Sequence, residues 1–185
     1  MNIDIDLKKI NLTSENIGKV KEAIKKGSSQ GLRNAGTYMV QEIRRQMTLP
    51  KTGNTYIFYK SRTGKTRQRN RLNAGSIGGN KTMTYPAPQG LKIPAGSSYT
   101  HKASNATGLE SSAVLTGELS KSIYTKNSGS NQQIIGATAP HAAIQEFGGA
   151  NVAPRNNIRR PLAQNKTLIA TKIKNAINNN LKGLQ

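Results

Sequence analysis

Histidine pairs, close carboxylates and glycine-rich turns are the usual carriers of catalytic or metal chemistry, and this chain offers few of them. His101 and His141 are its only histidines. His141 and Glu146 stand five residues apart, about half a turn off a common helical face, so they make a poor metal pair, and no H-E-x-x-H occurs. Gly64-Lys65-Thr66 matches the end of a P-loop, but Tyr59 occupies the position of the motif's first glycine. Without that turn the backbone amides cannot wrap a phosphate. No nucleophile elbow accompanies the serines. The absence of cysteine removes thiol catalysis, Cys-based zinc sites and disulfides together. The carboxylates are Asp4, Asp6, Glu15, Glu22, Glu42, Glu110, Glu118 and Glu146, and most fall in patterns of helical surface. The ordinary reading of these groups is an exposed or capping role. The sequence therefore predicts no catalytic residue, no metal site and no cofactor: this is not expected to be an enzyme.

Charge is the stronger signal. The 185 residues carry 28 Lys and Arg against 8 Asp and Glu, a net charge of +20. Such an excess points to an anionic partner: nucleic acid, an acidic protein face or a membrane surface. No apolar run approaches the ~18–20 residues of a membrane span, and Met1 to Lys9 alternates polar and apolar residues, unlike a secretory signal. Between Glu42 and Glu110 there is no acid, and there Arg62, Lys65, Arg67, Arg69 and Arg71 form the densest basic cluster. These five are the candidate contacts for DNA or an acidic partner. Tyr56, Phe58 and Tyr59 precede them closely enough to suggest stacking on bases. A solvated face is the bland alternative for such a run. No helix-turn-helix, zinc-finger or RRM pattern is present, so DNA binding would be independent of sequence.

The elements that must position these groups follow from periodicity. Residues 2–7 alternate and predict a short strand. Thr13 or Ser14 can cap a long amphipathic helix over about 14–48, with Ile17, Val20, Ile24, Gly31, Ala35, Tyr38 or Met39, Glu42 and Met47 along its stripe. Gly27, Gly31 and Gly36 weaken it by roughly 1 kcal/mol each relative to Ala, yet small residues on the stripe permit close packing against another element. Pro50 stops it. Residues 50–114 are rich in Gly, Ser, Asn, Thr and Pro and predict an extended arm or β-hairpin, with a strand at 55–59. Order resumes with a helix over 117–124 capped by Thr116, a strand at 132–137, and a short helix opened by Pro140. That helix carries Ala143, Ile144 and Phe147 and ends at Gly148-Gly149. Pro161 opens a last helix with Leu162, Leu168 or Ile169, Ile173, Ala176 or Ile177, and Leu181. The expected fold is α+β: one domain over 1–185, with a small antiparallel or mixed sheet packed by a long N-terminal helix and a C-terminal helix. Residues 50–114 form its basic arm. Hydrophobic residues make up only 34% of the chain, so the core is expected to be thin.

Several segments are familiar in combination. Val114-Leu115-Thr116-Gly117-Glu118-Leu119-Ser120-Lys121-Ser122-Ile123 resembles the "TG-x-L-x-x-S-I" segment of the tail-completion family, the neck or head–tail joining proteins of tailed double-stranded DNA bacteriophages. Pro140-His141-Ala142-Ala143-Ile144-Gln145-Glu146-Phe147-Gly148-Gly149 is similar to that family's "YA-x-x-x-E-F-G" signature. Arg159-Arg160-Pro161-Leu162 resembles its "R-P-F-(L)" lead-in to the last helix. Upstream, Lys51-Thr52-Gly53-Asn54-Thr55-Tyr56 and His101-Lys102-Ala103-Ser104 resemble the "K-x-G-x-x-Y … H-x-A-S" arm. Each is short, but they occur in the family's order and cover roughly residues 10–180. His141 stands where the family has an aromatic, Leu162 where it has Phe, and the stretch between the arm motifs is longer and more basic than is typical.

The resemblance implies a structural virion protein that assembles as a ring, expected to be a hexamer, between portal or adaptor and the tail-terminator or tail-tube proteins. It would act in the virion neck after assembly in the host cytoplasm, with the packaged DNA end as a further contact and no membrane. Subunit-interface or motif residues would be Thr116, Gly117, Leu119, Glu146, Phe147, Gly148, Arg159, Arg160 and Pro161. Glu146 could pair with a neighbour's Arg159 or Arg160, or act as an intrachain cap or exposed acid. Phe147 is more often core than interface, and Thr116 and Gly117 are expected to cap and turn. A tail-terminator or minor morphogenesis protein is the alternative of the same class. A nucleic-acid-binding protein without a ring role is the alternative of a different class.

Overall fold

The structure, a computed structural model, describes residues 14–60, 82–86, 91–104, 111–112, 114–129, 131–150 and 152–184. The strand expected at residues 2–7 and the basic cluster Arg62 to Arg71 lie outside the described residues. The element order is α1 (Ser14–Thr48), β1 (Thr55–Tyr59), β2 (Thr82–Pro86), β3 (Ser98–Lys102), α2 (Glu118–Ser122), β4 (Ile123–Asn127), β5 (Gln133–Ala137), α3 (Ala142–Phe147), α4 (Arg159–Gln164) and α5 (Lys166–Lys182). The fold is α+β, with a long N-terminal and a C-terminal helix. It divides into two compact units: 1–44, 123–138 and 158–185 form the first, and 45–122 with 139–157 form the second.

In the first unit, α1 buries Val20, Ala23, Gly27, Gly31, Ala35, Met39, Val40 and Ile43, mostly at four-residue steps. Ile17 is exposed and Glu42 only half-buried, so Ala23 and Ile43 take the buried places that the expected stripe assigned to other residues. Val20 and Ala23 share one cluster with Ile173, Ile177 and Leu181 of α5, flanked by Ile24, Leu32 and Ile169. Gly27 and Gly31 explain how these helices approach: a Cβ on Gly27 would sit 2.5 Å from the Ile177 Cα, and one on Gly31 2.6 Å from the Ile173 Cα. Backbone meets backbone there, so the propensity lost by glycine is offset by close helix packing. Lys172 places its ammonium 4.6 Å from the centre of the Tyr38 ring, a cation–π contact between the same helices.

β4 and β5 pair antiparallel, Ile123 opposite Ala137 and Asn127 opposite Gln133. Ile123 is buried while Tyr124 and Ile134 on the other face are exposed, the alternation of a ribbon covered on one side. The Arg44 guanidinium donates to the Ile123 carbonyl at 2.8 Å. The helix expected over 117–124 therefore stops at Ser122, and β-branched Ile123 and Thr125 enter the strand because cross-strand pairing outweighs local helix propensity. The last helix also differs from expectation. It begins at Arg159, and Asn165 separates α4 from α5. Buried Pro161 sits in the first turn of α4, where its missing N–H leaves no bond unmade.

In the second unit, β1 is the central strand of a mixed sheet, parallel to β2 and antiparallel to β3. This sheet is the described part of the expected arm. Two small sheets are thus present among the described residues, where the sequence suggested one.

Candidate functional site

Three parts of the second unit, far apart in sequence, wall one cavity. Its volume is about 220 Å³, and it is lined by Met47, Ser112, the run Val114 to Ser120, His141 and Gln145. Thr116, Gly117 and Leu119 are therefore brought together with the first turn of α3.

The "TG-x-L" segment is shaped by Gly117, whose φ of +81° is the left-handed conformation that glycine adopts without strain. The Thr116 hydroxyl accepts the Glu118 N–H at 3.4 Å, and the Lys121 N–H bonds the Gly117 carbonyl at 2.9 Å, so cap and turn take the expected places. On the other side, α3 closes at Gly148, whose N–H bonds the Ile144 carbonyl at 2.8 Å. Gly148 has φ +84°, and a Cβ there would sit 2.9 Å from the Val152 carbonyl oxygen, so both conformation and space demand glycine.

The orientation of α3 reverses the expectation for its side chains. Glu146 is only 7% exposed, while Phe147 is 66% and Ile144 49% exposed. Phe147 is thus not core, and Glu146 is buried rather than standing as an exposed acid. Six residues give too few turns for periodicity to identify the buried face. His141 precedes the helix and lines the cavity without a side-chain cap bond.

A buried polar network fixes the cavity's floor. The Asn157 Oδ1 accepts the Ser112 N–H at 2.8 Å, and the Asn157 Nδ2 donates to the Ser112 hydroxyl oxygen at 2.9 Å. The Ser112 hydroxyl in turn donates to the Gln145 Oε1 at 2.8 Å. Donor and acceptor identities follow from the amide N–H of Ser112, which can only donate. Sequence reading missed Ser112, Gln145 and Asn157, because no local pattern marks a bond that spans 45 residues.

The two arm motifs also meet. The Gly53 N–H donates to the Ala103 carbonyl at 2.9 Å, and the Ala103 N–H to the Asn54 carbonyl at 2.8 Å. A Cβ on Gly53 would overlap the carbonyl oxygens of Ala103 and Ser104. Beyond this junction Tyr56 and Phe58 stack with ring centres 6.3 Å apart, and His101 lies 6.4 Å from both Phe58 and Tyr99. Burial strips water from the His101 imidazole and holds its pKa below the ordinary 6.5. The Lys51 ammonium is buried and donates to the Gln46 carbonyl at 3.0 Å.

Arg159, Arg160 and Pro161 belong to the first unit, and Arg62, Lys65, Arg67, Arg69 and Arg71 lie outside the described residues. Among the described residues no group of three or more His, Asp or Glu could hold a metal ion. No described helix is long and apolar enough to cross a membrane. The fold and site define a two-unit α+β chain with a small, mostly apolar cavity. Comparison with protein-family models, curated proteins and solved structures returns no match.

Proposed function

We propose that this chain is a structural protein of the phage neck that assembles as a ring and completes or joins the head–tail connection around the DNA passage. One observation carries the reading. Most of the segments that resemble the neck family are spatial partners in the second unit: the "TG-x-L" segment walls one cavity together with His141 and Gln145 of the Pro140–Gly149 segment, and the two arm motifs pair through Gly53 and Ala103, while Arg159–Leu162 lies in the first unit. Short motifs that match by chance have no reason to pack pairwise; motifs retained to build one assembly surface do. A thin core divided between two units fits a subunit that gains stability by burying surface against neighbours in closed cyclic symmetry.

The partners on this reading are further copies of the chain, expected as a hexamer, together with portal or adaptor and tail-terminator or tail-tube proteins. A tail-terminator role is the variant of the same class. The nucleic-acid reading keeps one supporting observation, the exposed Tyr99 and half-buried Tyr56 rings on the sheet that leads into the basic segment. Mass photometry and negative-stain imaging of the purified protein, alone and with tail tubes, separate them. Rings that cap tubes or connectors are the expected result. A chain that binds DNA but never a tail or connector overturns the proposal.

A further inference from the structure

The second unit carries both halves of a contact that one copy cannot make with itself. The hole is the 220 Å³ cavity, walled by Met47, Val114, Leu115 and Leu119. An apolar cavity of about 150 Å³ is enough to bind benzene, so this one has the volume for a phenyl ring set against its apolar wall, while Ser112, Thr116, Glu118, Ser120, His141 and Gln145 line the rest. The knob is the exposed face of α3, where Ile144 and Phe147 keep 49% and 66% of their surface open. His141 and Gln145 face the cavity. At 100° per residue, Phe147 stands about 140° from the direction of His141 and Gln145 and Ile144 about 80° from it, so Phe147 is directed out of its own cavity and Ile144 lies beside it.

Charge decides which occupant suits the hole. Any self-contact in a +20 chain must be made where like charges do not meet. Residues 103–120 and 127–154 contain no Lys or Arg, although one residue in about every seven of the chain is basic. Those two stretches supply every lining residue of the cavity except Met47, and the whole knob. They carry Glu110, Glu118 and Glu146, and Glu118 stands exposed at the cavity. Among the described residues Lys121 reaches the rim at Gly117 beside Glu118, so knob and hole form a patch of low net charge that a second copy can approach.

We infer that Phe147 of one copy, flanked by Ile144, inserts into the Leu115–Leu119 cavity of the next. The contact is heterologous, since the surface used by one copy differs from that used by its neighbour, and repetition closes a ring when the rotation permits. The inference deepens the ring reading and rests on it.

The absence of cysteine makes the test clean. Ala143→Cys marks the knob without removing Phe147, and Ser120→Cys marks the hole. The two variants, one carrying a size tag, are mixed and treated with a short bismaleimide, and mass photometry of unmodified protein is recorded in parallel. The expected result is a linked dimer in the mixture and none in either variant alone. Adding Phe147→Ala to the Ala143→Cys chain should abolish the link and weaken self-association about tenfold or more. Its thermal midpoint should stay unchanged, because the side chain is mostly exposed. Self-linking of Ala143→Cys alone overturns the inference, since it means an isologous contact. Oligomers without a 120–143 link overturn it while leaving the ring reading standing. A chain that stays monomeric and unlinked at every concentration overturns both.

Discussion

A single added methyl group separates the two roles that glycine plays in α1. At Gly18 nothing lies within 4 Å of the place a Cβ would take, so Gly18→Ala only restricts the unfolded chain and improves helix propensity. It should stabilise the protein by about 0.5–1 kcal/mol. At Gly31 the same methyl would sit 2.6 Å from the Ile173 Cα, a backbone atom that cannot swing aside. Gly31→Ala should therefore cost about 1–3 kcal/mol despite its better propensity. Urea denaturation of the two variants beside the parent checks both signs, and equal effects would mean that the α1–α5 approach is looser than described. His101 supplies a second prediction. Its folded pKa lies below the ordinary 6.5 because burial disfavours the imidazolium. The unfolded chain thus takes up the proton first as pH falls. Stability is full above the ordinary pKa, declines as pH drops from there to the folded pKa, and levels off below it. Carboxylates titrate mostly near pH 4, so this window belongs to histidine. Urea midpoints measured from pH 7.5 to 5.5 should fall for the parent and flatten in His101→Gln.

Elements were legible in the sequence where a pattern ran long enough to be read. The α1 boundaries, the 55–59 strand and the closing of α3 at Gly148 follow from periodicity, Pro50 and glycine chemistry. The outward turn of Phe147 was not legible, because a six-residue helix shows its buried face only through tertiary contacts. Likewise Ile123 could continue a helix or begin a strand, and pairing with Ala137 decides it. The cavity was half legible: Thr116, Gly117 and Leu119 were marked by motif, whereas its polar floor depends on partners distant in sequence. That floor can be tested. Asn157→Ala removes the acceptor of the buried Ser112 N–H and a donor to its hydroxyl. Leaving a buried donor unsatisfied should destabilise the protein by about 2 kcal/mol. Hydrogen exchange should show the loss of protection at the Ser112 amide, and an unprotected amide in the parent would remove the network from the argument.

At the scale of the whole molecule the question is which partner receives the positive charge. The densest cluster, Arg62 to Arg71, lies within a long acid-free stretch, while the base-free stretches supply most of the cavity and the knob. This segregation suits a subunit that meets its own copies through one region and an anion through another. DNA and an acidic protein ring differ in how salt acts on them. Binding to duplex DNA releases condensed counterions, and the logarithm of affinity falls with the logarithm of salt at a slope of about 0.9 per phosphate neutralised. If the cluster contacts the packaged DNA, replacing Arg67, Arg69 and Arg71 with Ala should lower that slope by about 2–3 and weaken binding evenly across sequences. If the partner is an acidic neighbouring ring, the same variant should leave the weak DNA binding nearly unchanged and lose tail joining in a reconstitution assay. DNA binding across a salt series and tail joining, measured on one triple variant, therefore assign the charge to its partner. A variant unchanged in both assays would show that the cluster is a solvated surface.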